Sequence, residues 1–191
     1  MDGETLARAS SLYVILPLLA VLFFVALFLR YRQITHRGLT LGGKIFLGLL
    51  LVLYLLAYIN LTFFMNRRVS KTPQIEWRLF WSYKDALAWK DGRITILRLG
   101  LARQILLNIL VYVPVGLLMP LVYKKHPYIF ALLTGFMLSL LTEVMQYITH
   151  RGLCELDDLF NNTLGCLIGM TLIAVGSKLI RKLQMKRVPS G

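Results

Sequence analysis

This sequence predicts an all-α, polytopic membrane bundle of about five transmembrane helices, and three observations carry that prediction. Several uninterrupted apolar stretches reach about 20 residues, the length a helix needs to cross the ~30 Å hydrocarbon core of a bilayer. The chain is 57% hydrophobic against 16% charged, with a mean hydropathy of +0.65, far from the balance of a soluble domain. Its basic residues, which set a net charge of +13, flank the apolar stretches instead of forming a soluble basic face. That placement argues against a nucleic-acid partner and for topology signals and contacts with membrane lipids.

The first span, about Leu12 to Leu29, is too long for the core of a signal peptide. Its leader MDGETLARAS is not strongly basic and no small-residue cleavage site follows it, so a retained helix is expected. Arg30, Arg32, Arg37 and Lys44 make a basic link to the second span, about Ile45 to Phe64. A long polar connection occupies about Met65 to Arg103. The third span runs from about Gln104 to Tyr123, and Lys124, Lys125 and His126 form a tight basic turn. The fourth span is about Tyr128 to Ile148, an acidic loop follows, and the fifth is about Leu159 to Ile180. These divide one domain into a pair of N-terminal helices (1–64), an outer segment (65–103), a three-helix core (104–181) and a basic tail (182–191).

Charge sets the expected orientation. The 30–44 link, the 124–126 turn and the C-terminal end from Lys178 onward hold eleven Lys and Arg and no Asp or Glu, which places them in the cytoplasm, with the N-terminus out and the C-terminus in. All nine acidic residues then fall outside or near the outer membrane face. The outer segment holds all three tryptophans, Trp77, Trp81 and Trp89. If helical, it would bring Trp77, Phe80 and Trp81 to one face and lie in the membrane interface as an anchor, or form a lid over an outer pocket.

Polar residues at helical spacing mark the candidate site. Ser139, Glu143, Gln146 and His150 share a face of the fourth span. Gln104, Asn108 and Tyr112 form a stripe on the third, and Asp158, Asn162 and Gly165 on the fifth. All three stripes fall in the same half of the bundle and converge on a polar cavity. Glu143 is the costliest member, since a carboxylate alone in hydrocarbon demands a proton or a cation; Arg98, Arg103 and Arg151 are the candidate partners. A hydrogen-bonded cluster that merely locks the helices together is the competing account. Gly165 and Gly169 make a G-x-x-x-G step suited to close helix contact, and Pro114 is expected to kink the third span. The two cysteines, Cys154 and Cys166, and the three scattered histidines offer neither a disulfide framework nor metal-ligand spacing, and no cofactor is implied.

Three segments of this sequence resemble the VanZ-like family. NILVYVPVGLLMP resembles its Asn-containing Pro-x-Gly segment, and TEVMQ resembles its Ser/Thr-x-Glu-x-x-Gln helix. R-G-x-x-E-x-D-D-x-x-x-N-T-x-G, from Arg151 to Gly165, resembles its Arg, Asp-Asp and Asn-Thr-x-Gly signature. The match covers roughly residues 104–170; it departs at Glu155, where the family more often has Asp, and lacks the Pro-Phe segment common before the third span. The resemblance implies an integral membrane protein associated with lowered susceptibility to lipoglycopeptide antibiotics of the teicoplanin type. It also implies the collective importance of Asn108, Pro114, Glu143, Gln146, Arg151, Asp157, Asp158, Asn162 and Gly165.

The expected activity is binding of an amphiphile, either the antibiotic or a lipid-linked cell-wall precursor, in an outer-leaflet cavity. Asn108, Glu143, Gln146, Arg151, Asp157, Asp158 and Asn162 would line it, with Arg98 and Arg103 as partners. The alternative is an enzyme acting on a lipid-linked phosphate or sugar, with Glu143, Asp157 and Asp158 as acid–base groups or as ligands of a divalent cation.

Overall fold

The computed structural model describes residues 3–36, 38–64, 71–72, 74–87 and 96–186, and it is an all-α bundle. Its helices are α1 (Gly3–Thr35), α2 (Leu41–Ile59, continued by one π-turn, Asn60–Phe64), α3 (Trp81–Leu87), α4 (Ile96–Val122), α5 (Pro127–Thr149) and α6 (Leu156–Lys186). All but α3 are long and apolar enough to cross a membrane. Two short strands, β1 (Ile75–Glu76) and β2 (Cys154–Glu155), pair in parallel.

Local chemistry sets several boundaries. Thr40 caps α2 by accepting the Gly43 N–H, and Pro127 opens α5 at a position where the missing N–H costs nothing. At the other end of α5, His150 adopts φ 55°, and the Arg151 N–H returns to the Gln146 carbonyl at 3.1 Å. That closes the helix in the manner of a Schellman turn.

Two helices begin earlier than hydropathy predicts. The helix of the third span starts at Ile96 rather than Gln104, so Arg98 and Arg103 lie on α4 and not in the outer segment. The fifth starts at Leu156, which puts Asp157 and Asp158 in the first turn of α6, where carboxylates favour the positive end of the helix dipole. An apolar count stops at the first charge; backbone hydrogen bonding does not. Pro114 and Pro120 both lie inside α4.

The tightest packing joins α4 to α6, backbone to backbone. A Cβ built on Gly165 would stand 2.0 Å from the Ile109 carbonyl oxygen, and one on Gly116 would stand 2.0 Å from that of Cys166. Gly169 meets Val113 in the same way at 2.1 Å, so the G-x-x-x-G step of the fifth span is a helix-packing device. α5 lies against both, and the three helices are mutual neighbours. Toward the basic end, α1 and α2 add Ala26, Leu29 and Leu47 to a core built on Leu117, Leu118 and Ile173.

The outer segment corrects one expectation. Trp77, Phe80 and Trp81 do not share a helical face, because α3 begins only at Trp81 and Phe80 takes φ 63°. Trp77 is 68% exposed while Trp81 is half-buried. Trp89 lies outside the described residues.

Candidate functional site

The pairing of β1 with β2 draws residues 74–87 across the α5–α6 connection, with the Cys154 N–H donating to the Gln74 carbonyl at 3.0 Å. Asp157, fully buried at the start of α6, then fastens α3 in place. Its carboxylate accepts the Phe80 N–H, the Ser82 N–H at 2.9 Å and the Ser82 hydroxyl. A carboxylate from a neighbouring element thus satisfies the orphan donors at the start of α3. It also holds Phe80 in a left-handed conformation that a non-glycine residue rarely adopts. Further along, the Tyr83 hydroxyl donates to Asn161, and Phe80 meets Phe160 edge-on at 5.2 Å. The segment is a strap over the polar end of α4, α5 and α6.

Beneath it lie several buried polar groups. Glu143 Oε2 accepts the Glu155 N–H at 2.9 Å, which ties α5 to β2. Glu155 in turn accepts from the Gln104 amide at 3.1 Å, reaching α4. Asn162 donates to the Ser139 hydroxyl at 2.9 Å, and the Arg151 guanidinium donates to the Phe63 carbonyl at 2.9 Å. Ser139, Glu143, Gln146, Glu155, Asp158, Asn161 and Asn162 are all buried. Asn108, Arg98 and Arg103 are half-buried on α4, and Arg151 is half-buried beside β2. Deeper in the bundle a hydroxyl triad joins Tyr58, Tyr112 and Thr142, with the two tyrosine oxygens 2.7 Å apart.

Two features of the cluster bear on its chemistry. The first is the Glu155 carboxyl, pushed up to about 7. Burial is the main cause and the neighbouring Asp158 and Asp157 carboxylates add to it, while the Gln104 amide and the Trp81 indole offset part of the rise. The indole acts here as a nearby dipole, since Trp81 Nε1 makes no well-formed hydrogen bond. The second is that five buried polar atoms have no hydrogen-bond partner among the described residues: Trp81 Nε1, Gln146 Oε1, Glu155 Oε2, Asn161 Nδ2 and Asn162 Oδ1. They come from four elements, α3, β2, α5 and α6. Trp81 and Glu155 still interact with each other; the other three atoms cost about 1–3 kcal/mol each if left unsatisfied.

Both Asp157 oxygens accept hydrogen bonds from the strap, one from Phe80 and the other from Ser82. Among the described residues no three His, Cys, Asp or Glu side chains are grouped to hold a metal ion.

Sequence reasoning left out Glu155, Trp81, Ser82, Tyr83 and Asn161 as site residues, and Tyr58 and Thr142 as interior partners. Glu155 had a visible signal, an acidic residue inside the Arg151–Gly165 motif. Asn161 lies in the same motif and Thr142 opens the TEVMQ segment, while Trp81, Ser82, Tyr83 and Tyr58 lie in aromatic or apolar runs where only their long-range partners set them apart.

The VanZ/LLP1 family model matches residues 46–179. Protein VanZ of Enterococcus faecium is 27% identical over 89 residues, covering 47% of this chain and 55% of that protein, about half of each. No solved structure matches the chain.

Proposed function

This chain belongs to the VanZ/LLP1 family, and from that premise we propose that it binds the polar portion of an amphiphile in the cluster beneath the strap. The carrying observation is the set of five buried, unpartnered polar atoms. Amide oxygens, an amide N–H, an indole N–H and a carboxylate oxygen suit a ligand rich in hydroxyl and amide groups, such as the sugar or peptide portion of a lipoglycopeptide or of a lipid-linked cell-wall precursor. Acyl or prenyl chains would lie against the apolar outer faces of α5 and α6, where Leu141, Ile148 and Leu172 are exposed. The cluster belongs to the outer leaflet in this reading, with the basic links and tail in the cytoplasm. Sequestering such a ligand there lowers susceptibility to teicoplanin-type antibiotics.

The test uses Glu143→Gln, which removes a charge but keeps an oxygen able to accept the Glu155 N–H. Native mass spectrometry of the mildly solubilised protein should find a co-purifying amphiphile that is lost in the variant, while abundance stays within about twofold. Antibiotic susceptibility should rise in parallel. Retention of the same ligand by the variant defeats the reading, and loss of folded protein would make the cluster helix glue.

One observation favours a second reading. A carboxyl held near 7 is suited to proton transfer at physiological pH, so Glu155 would serve as the acid–base group of an enzyme acting on a lipid-linked phosphate or sugar. Product formation from such a substrate, abolished by Glu155→Gln, would establish it.

A further inference from the structure

The opposite end of the bundle holds a cavity of about 1000 Å³ between α1, α2, α6 and the α4–α5 link. Arg30, Lys44, Lys124, Lys178 and Arg181 all line it, together with His36, and no carboxylate does. The absence is a property of the chain itself. Every lining residue falls within 5–75, 92–142 or 159–191, and none of these stretches contains an Asp or Glu. Glu4, on the same helix as Arg30, lies 26 residues back, about 39 Å along the axis.

One of these cations, Arg30, is held in place by neutral groups. Arg30, half-buried, donates from Nε to the Ser177 hydroxyl at 3.1 Å and from an end nitrogen to the Gln33 amide oxygen at 2.7 Å. Gln33 is fixed in turn by donating to the Leu121 carbonyl at 3.1 Å. The guanidinium is therefore oriented without being neutralised. Helix dipoles do not decide the sign of the site. α2 and α5 begin at the cavity while α1 and α4 end there, so their partial charges of roughly ±0.5 oppose one another. Five full side-chain charges set the potential.

From this geometry we infer that the cavity is a second binding site, for the headgroup of an anionic phospholipid. Its phosphate would meet Arg30, Lys44, Lys178 and Arg181 through charge-assisted hydrogen bonds. Two observations favour a lipid over a small anion. The volume sits at the top of the range for small-molecule pockets, about 300–1,000 Å³, far more than a bare phosphate fills. The helices forming it also carry exposed apolar side chains nearby, Leu41 at 74%, Ile45 at 55% and Leu179 at 57%, along which acyl chains can lie. Basic pockets between helices on the cytoplasmic side suit anionic headgroups.

Native mass spectrometry from detergent separates this role from the topological one, because orientation has no meaning in a micelle. Wild-type protein titrated with phosphatidylglycerol should retain it far better than phosphatidylcholine. Lys44→Gln/Lys178→Gln/Arg181→Gln should weaken that retention on the order of a hundredfold, from roughly fivefold per cation. Arg32→Gln/Lys125→Gln/Lys182→Gln removes the same charge from exposed positions outside the cavity and should change retention less than about threefold. Equal retention of the two lipids, or equal losses in the two triple variants, overturns the inference. Competition by glycerol 3-phosphate as strong as by phosphatidylglycerol overturns the lipid assignment in favour of a soluble phosphate ligand.

Discussion

Replacing Glu155 with Gln tests the electrostatics of the cluster directly. The carboxyl is 5% exposed and is pushed from an ordinary 4.5 to about 7. The folded protein thus keeps a proton that the unfolded chain releases between pH 4.5 and 7. Wherever the folded state binds more protons, stability falls as pH rises. The contribution is therefore greatest below pH 4.5, is lost progressively up to about pH 7, and is level above it. A shift of this size corresponds to about 3 kcal/mol, or about 6–12 °C in Tm for a chain of this length. Gln resembles the neutral acid and does not titrate, so the variant should lose that slope. It should be the more stable of the two at pH 8, apart from a pH-independent offset. The assay is the thermal transition of the solubilised protein, followed by tryptophan fluorescence from pH 4.5 to 8 for both forms. Parallel Tm curves would refute the reasoning. A variant that is the less stable of the two only at pH 8 would show an ionised, paired Glu155.

Two more substitutions probe the architecture. Asp157→Ala deprives the Phe80 and Ser82 N–H groups and the Ser82 hydroxyl of their acceptor, at about 1–3 kcal/mol for each. Tryptic cleavage at Arg78 and Lys84 should speed up at least about tenfold, with Asp157→Asn intermediate; unchanged rates would mean that the strap is held elsewhere. Gly165→Ala forces a Cβ to 2.0 Å from the Ile109 oxygen and should destabilise by about 1–3 kcal/mol or more. Gly100→Ala on α4, with nothing within 4 Å of its Cβ, should be neutral or gain up to about 1 kcal/mol. Equal Tm values for the two glycine variants would contradict the close α4–α6 packing.

The apolar lengths and the periodic polar residues were enough, without coordinates, to identify the five long helices and the stripes of α4, α5 and α6. Both are local properties: bilayer thickness fixes how many apolar residues a span needs, and helical periodicity fixes which residues share a face. The glycines of α6 were legible for the same reason, because a missing side chain permits close approach whatever the partner. Which groups meet across the chain was not legible. Ser82 and Tyr83 read as part of an aromatic anchor until Asp157 and Asn161, more than 70 positions away, accept their hydrogen bonds. Glu155 reads as one more loop carboxylate until burial beneath the strap raises its pKa. The basic cavity gathers Arg30 and Arg181 from opposite ends of the sequence. Hydropathy placed these charges at the ends of apolar stretches; only helix packing brought them around a shared space, because burial and electrostatic coupling belong to the assembled bundle and to no segment of it.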